Sequence, residues 1–119
     1  MASAAHLLGQ AGEDAAAAHL QAQGYTIARR NYRHGRAEVD LIAQRGTELL
    51  VFVEVKARSG ARFGHPEEFV TARKQELFRQ AATHYQEEVN WAGDIRFDIV
   101  ALLQVADGLH LEHFEDAFY

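Results

Sequence analysis

The sequence contains no cysteine, a single proline (Pro66) and no long hydrophobic run. Without cysteine, the chain can form neither a disulfide nor a thiolate zinc site. No stretch approaches the ~20 apolar residues that a membrane-spanning helix needs. The first ten residues also lack the basic start and apolar centre of a secretory signal. We therefore expect a cytoplasmic protein that makes no use of the membrane.

The remaining composition is that of an ordinary globular protein. The chain has 119 residues, of which 48% are hydrophobic and 24% charged, and this predicts one domain over residues 1–119. The net charge of −5 argues against a generic nucleic-acid binder. However, residues 29–62 hold eight of the twelve Lys and Arg residues and only four acids. Such a one-sided field could attract a polyanion, and a mixed solvated surface is an equally good interpretation.

The hydrophobic pattern predicts a helix, three strands, a second helix, a fourth strand and a possible fifth. The alanine-rich stretch 4–23 favours a helix, with an apolar stripe at Leu8, Ala11, Ala15, Ala18 and Leu20. Thr71 is a suitable cap for a second helix that runs to about residue 88. We predict strands at 25–32, 37–44, 48–58, 95–105 and 109–114, and a loop with Pro66 at 59–68. The order αβββαβ(β) predicts an α/β fold of the α+β type, in which a mixed central sheet carries a helix on each face.

Two acidic residues are predicted to face each other across a hairpin. A turn centred on Thr47 places Asp40 opposite Glu54 and Glu38 opposite Lys56. Because strand residues two apart share a face, these four side chains lie together. Two opposed carboxylates at the end of an apolar strand repel each other, and a divalent cation relieves that repulsion. Oxygen ligands of this kind suit Mg²⁺ or Mn²⁺.

Lys56 and Glu13 extend this cluster toward catalysis. An ammonium group two residues beyond Glu54 can orient a water molecule or stabilise charge on a phosphate under attack. Glu13 follows Gly9 and Gly12 on the first helix, and these glycines would allow the helix to approach the sheet so that Glu13 adds a metal ligand. Asp40, Glu54 and Lys56 already form a chemically complete minimum for phosphodiester hydrolysis. The alternative is a structural salt-bridge cluster, which is the usual meaning of an isolated Glu-x-Lys triplet.

Basic residues cluster around Tyr32 and beyond the acidic strand. Basic side chains beside an aromatic ring fit contact with a phosphate backbone, and we name Arg30, Arg33, Arg36 and Arg58 as candidate nucleic-acid contacts. A charged strand edge that prevents aggregation is an alternative explanation.

Three further residues are candidates for supporting the site. Lys74 opens the second helix, where a solvated first turn is the simpler interpretation. Asp98 alternates with Arg96 on the fourth strand, where a local ion pair is the default. Glu38, opposite Lys56, is the third candidate.

The cluster and its surroundings resemble a known family. Asp40 followed by Glu54-Val55-Lys56 resembles the PD-(D/E)XK nuclease superfamily, and the fuller pattern is similar to the bacterial YraN family of endonuclease-like proteins. One departure is Val39, which stands where the motif name has proline. The resemblance covers nearly the whole chain, and its matching segments are Gly12-Glu13, Gly24-Tyr25, residues 30–33, 38–42 and 51–56, Phe63-Gly64 and residues 96–98.

The resemblance implies a restriction-endonuclease-like core that acts on nucleic acid. It implies that Asp40 and Glu54 bind Mg²⁺, that Lys56 assists the attacking water, and that Glu13 matches the acidic residue on the first helix of resolvase-like members. DNA, branched or single-stranded, is expected rather than RNA, and a homodimer is expected by analogy. Two alternatives stay open, namely a nucleic-acid-binding domain with weak or absent catalysis, and a structural or partner-binding domain whose acidic cluster is an ion-pair network.

Overall fold

The structure is a computed structural model that describes residues 3–59 and 70–119. Its strands form one five-stranded sheet in the order β1-β2-β3-β4-β5. β3 and β4 are parallel, and the other neighbouring pairs are antiparallel. The elements are α1 (Ala4–Ala22), β1 (Thr26–His34), β2 (Ala37–Arg45), β3 (Leu49–Ser59), α2 (Ala72–Glu88), β4 (Asp94–Val105) and β5 (Gly108–Phe118).

This architecture confirms the predicted fold class, a mixed sheet with a helix on each face and consistent with a restriction-endonuclease-like fold. β3 lies at the centre and is buried from both sides, as its continuous apolar run predicts. The α1-side core contains Ala16, Ala17, Leu20, Leu41, Ala43, Val51, Val53, Val100 and Leu102. The α2-side core includes Val39, Ile42, Leu50, Phe52, Phe78, Tyr85 and Phe97.

Local signals account for where the elements begin. The Thr71 side chain accepts a hydrogen bond from the Lys74 N–H, which confirms the predicted cap of α2. Gly46 and Gly108 adopt positive φ angles of 54° and 128° at the turns before β3 and β5. The pairs Leu41–Val53 and Arg45–Leu49 confirm the predicted hairpin register centred on Thr47.

The apolar stripe predicted for α1 is confirmed at Leu20 and is wrong at Ala11 and Ala18. Ala11 and Ala18 are exposed, whereas Gly12, Ala16 and Leu20 are buried. A helix of mostly alanine has little contrast between its faces, so its sequence does not determine which face packs. Close packing against the sheet determines it instead, because a Cβ on Gly12 would lie 2.7 Å from the Cβ of Ala57. Gly9 has nothing within 4 Å of such a Cβ and is not needed for this approach.

Part of the predicted pattern lies outside the described residues. This applies to Pro66 and most of its predicted loop, and to the Phe63-Gly64 segment. Neither α1 nor α2, the two helices in the described ranges, is long and apolar enough to cross a membrane.

Candidate functional site

The candidate site forms where β2 and β3 stop pairing. Their register ends at Leu41 and Val53, while β3 continues to pair with β4 as far as Ser59. The Asp40 carboxylate takes up the next hydrogen bond, because its Oδ2 accepts from the Val55 N–H at 2.7 Å. A side chain thus replaces strand-to-strand pairing at the end of the hairpin, and Asp40 is fixed against the backbone of β3.

Asp40 does not follow the strict alternation that the sequence suggests. Ile42 belongs to the α2-side core, whereas Asp40 lines a cleft beside α1. Val39 is also in the α2-side core, so the alternation of β2 breaks between Val39 and Ile42. On the neighbouring strand, Asn31 lies between Arg30, paired with Leu41, and Tyr32, paired with Val39, and has a positive φ of 51°. The regular alternation predicted for this strand is therefore wrong at Asp40, and the irregular backbone explains why.

Glu54 is buried and only partly satisfied. Its side chain is 2% exposed, and its Oε1 accepts a hydrogen bond from the Lys74 Nζ. The Lys56 Nζ lies 3.4 Å from the same oxygen. The second oxygen, Oε2, is buried without a hydrogen-bond partner. Leaving a buried carboxylate oxygen unpaired is energetically costly, so this atom is a candidate ligand for a cation.

The pKa of Asp40 is raised from 3.8 to about 7, mainly by burial and next by the negative charge of Glu54. The Val55 N–H and the Lys74 ammonium act in the opposite direction, and Glu13 contributes a small additional rise. The Glu54 carboxylate is therefore close enough to oppose the ionisation of Asp40. Near neutral pH, Asp40 is poised between its protonated and ionised forms.

A cleft of about 610 Å³ opens between α1 and the diverging strands. Glu13 lines it as predicted, but the Glu13 Oε1 accepts from the Asn31 Nδ2 at 3.2 Å and lies 3.9 Å from Arg30. Within residues 3–59 and 70–119, no three His, Asp or Glu side chains converge closely enough to hold a metal. The arrangement places Lys56 3.4 Å from Glu54 and puts Asp40 within electrostatic reach of Glu54, and it leaves Glu13 bonded to Asn31 of β1.

The predicted basic residues fall into different environments. Arg30 lines the cleft and donates to Asp14 at 2.7 Å, with its side chain 45% exposed. Arg33 pairs with Glu38 at 3.5 Å, so Glu38 has a partner on β1 instead of lying with Lys56 as predicted. Arg36 is exposed in the turn after β1, and Arg58 is exposed near the end of β3.

Lys74 makes a more specific contact than its position in the sequence suggests. The first turn of α2 is not simply solvated, because the Lys74 Nζ reaches the buried Glu54 Oε1. The Thr71 cap fixes where α2 begins and so sets the position of Lys74. The sequence alone does not reveal this contact, since it depends on how α2 packs over β3.

Asp98 belongs to a separate buried network. Arg96 donates to both of its oxygens at 2.8 and 2.9 Å, which confirms the predicted ion pair. The His113 Nε2 lies 2.7 Å from Oδ2, and the Asp116 N–H donates to Oδ1 at 3.0 Å. These contacts join Asp98 to β5 and do not include Asp40 or Glu54. The contact between His113 and Asp98 is not predicted from the sequence, because no recognisable spacing links the two residues.

Comparison with known proteins identifies the family. The model of the uncharacterised protein family UPF0102 matches residues 12–102. A UPF0102 protein of Christiangramia forsetii is 41% identical over 112 residues, covering 94% of this chain and 93% of that protein. Another, from Chlorobium phaeobacteroides, is 42% identical over 125 residues, covering 99% and 98%. A third, from Cytophaga hutchinsonii, is 46% identical over 103 residues, covering 87% and 90%. The YraN-like identification made from the sequence is therefore confirmed, and this chain belongs to the UPF0102 family.

Proposed function

We propose that the protein is a divalent-metal-dependent nuclease that hydrolyses phosphodiester bonds in DNA, with Asp40, Glu54 and Lys56 at its centre. The observation that carries the proposal is a buried and incompletely satisfied carboxylate, Glu54, beside the half-buried carboxylate of Asp40. The Glu54 Oε2 has no hydrogen-bond partner, and the pKa of Asp40 is raised to about 7 by burial and by Glu54. A purely structural cluster gains nothing from such an arrangement.

The donor set fits Mg²⁺ or Mn²⁺. Both ions prefer carboxylate oxygens, and Mg²⁺ is commonly held by one or two carboxylates while phosphate and water complete its coordination. Asp40 and Glu54 would hold the ion as its two carboxylate ligands, so no third converging acid is required. Glu13 would act from the cleft wall, as a water or phosphate partner. A bound cation supplies Lewis-acid stabilisation of the phosphate under attack.

The lysines divide the remaining tasks. Lys56 is 30% exposed and lies beside Glu54, so its ammonium can stabilise the charge that develops on the phosphate oxygens. Lys74 holds the Glu54 carboxylate in place from α2. Arg30 lines the cleft, where a guanidinium can contact a backbone phosphate, and Arg33, Arg36 and Arg58 would extend that contact. We also propose that the protein belongs to the PD-(D/E)XK superfamily, that it is cytoplasmic and that it forms a homodimer.

The test combines metal binding with cleavage. Mn²⁺ or Mg²⁺ should raise the melting temperature of the wild type, and neither Asp40→Asn nor Glu54→Gln should respond. Linear duplex, single-stranded and branched DNA should be incubated with each metal, and both variants and Lys56→Met should cut at least about a hundredfold more slowly. Asp107→Asn, which changes an exposed acid at the opposite hairpin, serves as the control. The proposal fails if the wild type neither binds metal nor cleaves any of these substrates.

A second candidate function is an ion-pair network in a structural or binding domain. The observation in its favour is that Lys56 and Lys74 both approach the Glu54 Oε1, so part of the carboxylate charge is already balanced. The net charge of −5 points the same way. Salt-sensitive DNA binding without cleavage would support a binding domain, whereas absence of both would support a structural role.

A further inference from the structure

Two exposed imidazole rings stack on each other at the rim of the sheet. The ring centroids of His34 and His84 are 3.9 Å apart, and their planes are 18° from parallel. His34 is the last residue of β1, an outer strand of the sheet, and His84 lies on α2. Both residues are exposed, so the pair presents aromatic surface to solvent.

Buried aromatic groups hold this stack in position. The Tyr32 hydroxyl lies 2.6 Å from the His84 Nδ1, and Tyr32 itself is only 3% exposed. Tyr32 in turn packs edge-on against Tyr85, with centroids 5.1 Å apart. An exposed ring that is already fixed loses little conformational freedom when a ligand stacks on it.

Basic side chains surround the same stretch of β1, and the nearby acids have basic partners. The Arg29 guanidinium lies 5.1 Å from the Tyr32 ring centre and pairs with Glu88 at 3.1 Å. Arg33 is 73% exposed and pairs with Glu38. Aromatic rings interspersed with cations are the pattern by which proteins bind single-stranded nucleic acid.

We propose that the His34–His84 stack is a binding site for an unpaired nucleobase. A base inside a duplex has both faces covered by its neighbours, so only a single-stranded segment offers a face to these rings. The assignment of nucleic acid as the ligand rests on the proposed function, which this inference sharpens to substrates containing unpaired bases.

The stack and the cleft adjoin the same outer strand, β1, but lie on opposite faces of the sheet, the stack beside α2 and the cleft beside α1. Asn31, which lines the cleft, and His34 are three positions apart on β1, or ~10 Å at the usual rise per residue. This distance equals about three stacked nucleotides at ~3.4 Å each. A single strand that passes round the outer edge of β1 would therefore reach the cleft, which Asp40 lines, within a few nucleotides of the stack.

The test compares strands that differ only in their bases. Fluorescence anisotropy would measure binding of a labelled thymidine oligonucleotide and of an abasic strand of the same length, both in EDTA to prevent hydrolysis. We expect the wild type to bind the base-bearing strand about tenfold more tightly. His34→Ala should remove this preference without weakening abasic binding, whereas His34→Trp should retain it. His110→Ala, which changes a histidine whose side chain is 61% exposed on β5, should behave as the wild type.

Three results would overturn the stacking site. These are equal binding of the two strands by the wild type, an unchanged preference in His34→Ala, and no binding of either strand. The proposed hydrolysis is judged separately, from Mn²⁺-dependent cleavage of duplex DNA and its loss in Asp40→Asn. Cleavage without a base preference would reject only the stacking site, and a base preference without cleavage would reject only the hydrolysis.

Discussion

The two buried acidic residues of the described chain, Glu54 and Asp98, lie on adjacent strands in opposite chemical situations. Asp98 is completely buried and receives donors from Arg96, His113 and the Asp116 N–H. Burial alone would raise its pKa, but His113, Arg96 and Asp116 outweigh that effect and hold the pKa below its usual value. Glu54 is almost as buried, yet one of its oxygens lacks a partner.

The difference distinguishes a structural acid from a candidate ligand. A fold that can surround Asp98 with donors from β4 and β5 has the means to satisfy a buried carboxylate. Around Glu54 the same fold brings in Asp40, a second carboxylate that opposes its charge. Partial satisfaction at one acid and saturation at the other support the proposal that the Asp40–Glu54 region binds a cation.

The largest effect on stability is expected at the saturated acid. Asp98→Asn removes the charge that pairs with Arg96 and replaces one acceptor oxygen with an NH2 donor, and it should lower the free energy of unfolding by about 3–5 kcal/mol. Chemical denaturation measures this loss. Asp107→Asn, whose side chain is 82% exposed, should change the free energy by less than about 0.5 kcal/mol. Similar small losses in both variants would mean that the Asp98 network contributes little.

The opposite sign is expected at Asp40. Because the folded-state pKa is raised from 3.8 to about 7, the stability associated with this group is present below pH 4 and is lost as the pH rises through 7. Asparagine removes the charge while keeping an acceptor for the Val55 N–H. In EDTA at pH 8, Asp40→Asn should therefore be more stable than the wild type by on the order of 2 kcal/mol.

At pH 3 the same comparison should show little difference, since Asp40 is then largely protonated in both the folded and the unfolded protein. Asp14→Asn removes a 72% exposed acid of α1 and should show no such pH dependence. If Asp40→Asn is less stable than the wild type at pH 8, the ionised Asp40 carboxylate stabilises the fold. Asp40 would then resemble Asp98 and would not differ from it in this respect.

The sequence predicts the secondary-structure elements and the hairpin register that position these acids. The elements begin and end where caps and turn glycines place them, as at Thr71, Gly46 and Gly108. The hairpin register follows from the turn length, and this register brings Asp40 to the level of Glu54. The sequence alone therefore predicts that Asp, Glu and Lys side chains lie near one another on neighbouring strands.

The sequence does not predict which atoms are satisfied. Asp40 leaves the regular alternation because Asn31, on the adjacent strand, has a left-handed backbone and because β2 and β3 diverge after Leu41. Asp98 meets Asp116 where the β4–β5 register shifts, between Phe97 and Ile99. Both details depend on strand irregularities, which composition and periodicity do not encode.

Metal affinity should report the raised pKa of Asp40. Below pH 7 a cation must displace the Asp40 proton, so the association constant for Mn²⁺ should rise about tenfold per pH unit and level off above pH 7. Titration calorimetry between pH 5.5 and 8.5 measures this dependence, and proton release can be followed in buffers of different ionisation enthalpy. Asp40→Asn should bind weakly with a flat profile. A wild-type affinity independent of pH would show that Asp40 is not a ligand.

The smallest effect is expected in α1, which forms one wall of the cleft. Gly12 packs so closely on β3 that Gly12→Ala would bring a methyl group within 2.7 Å of the Ala57 Cβ, and overpacking should cost about 1 kcal/mol even after the gain in helix propensity. Gly9→Ala on the same helix has nothing within 4 Å and should be stabilised by about 0.5–1 kcal/mol. Thermal unfolding in EDTA measures both variants.

Because Ala57 also lines the cleft, Gly12→Ala alone should weaken Mn²⁺ binding, through the shift of α1 that carries Glu13. Equal metal affinity in the two glycine variants would show that the cleft wall does not contribute to the site, and that Asp40 and Glu54 hold the cation from the sheet alone.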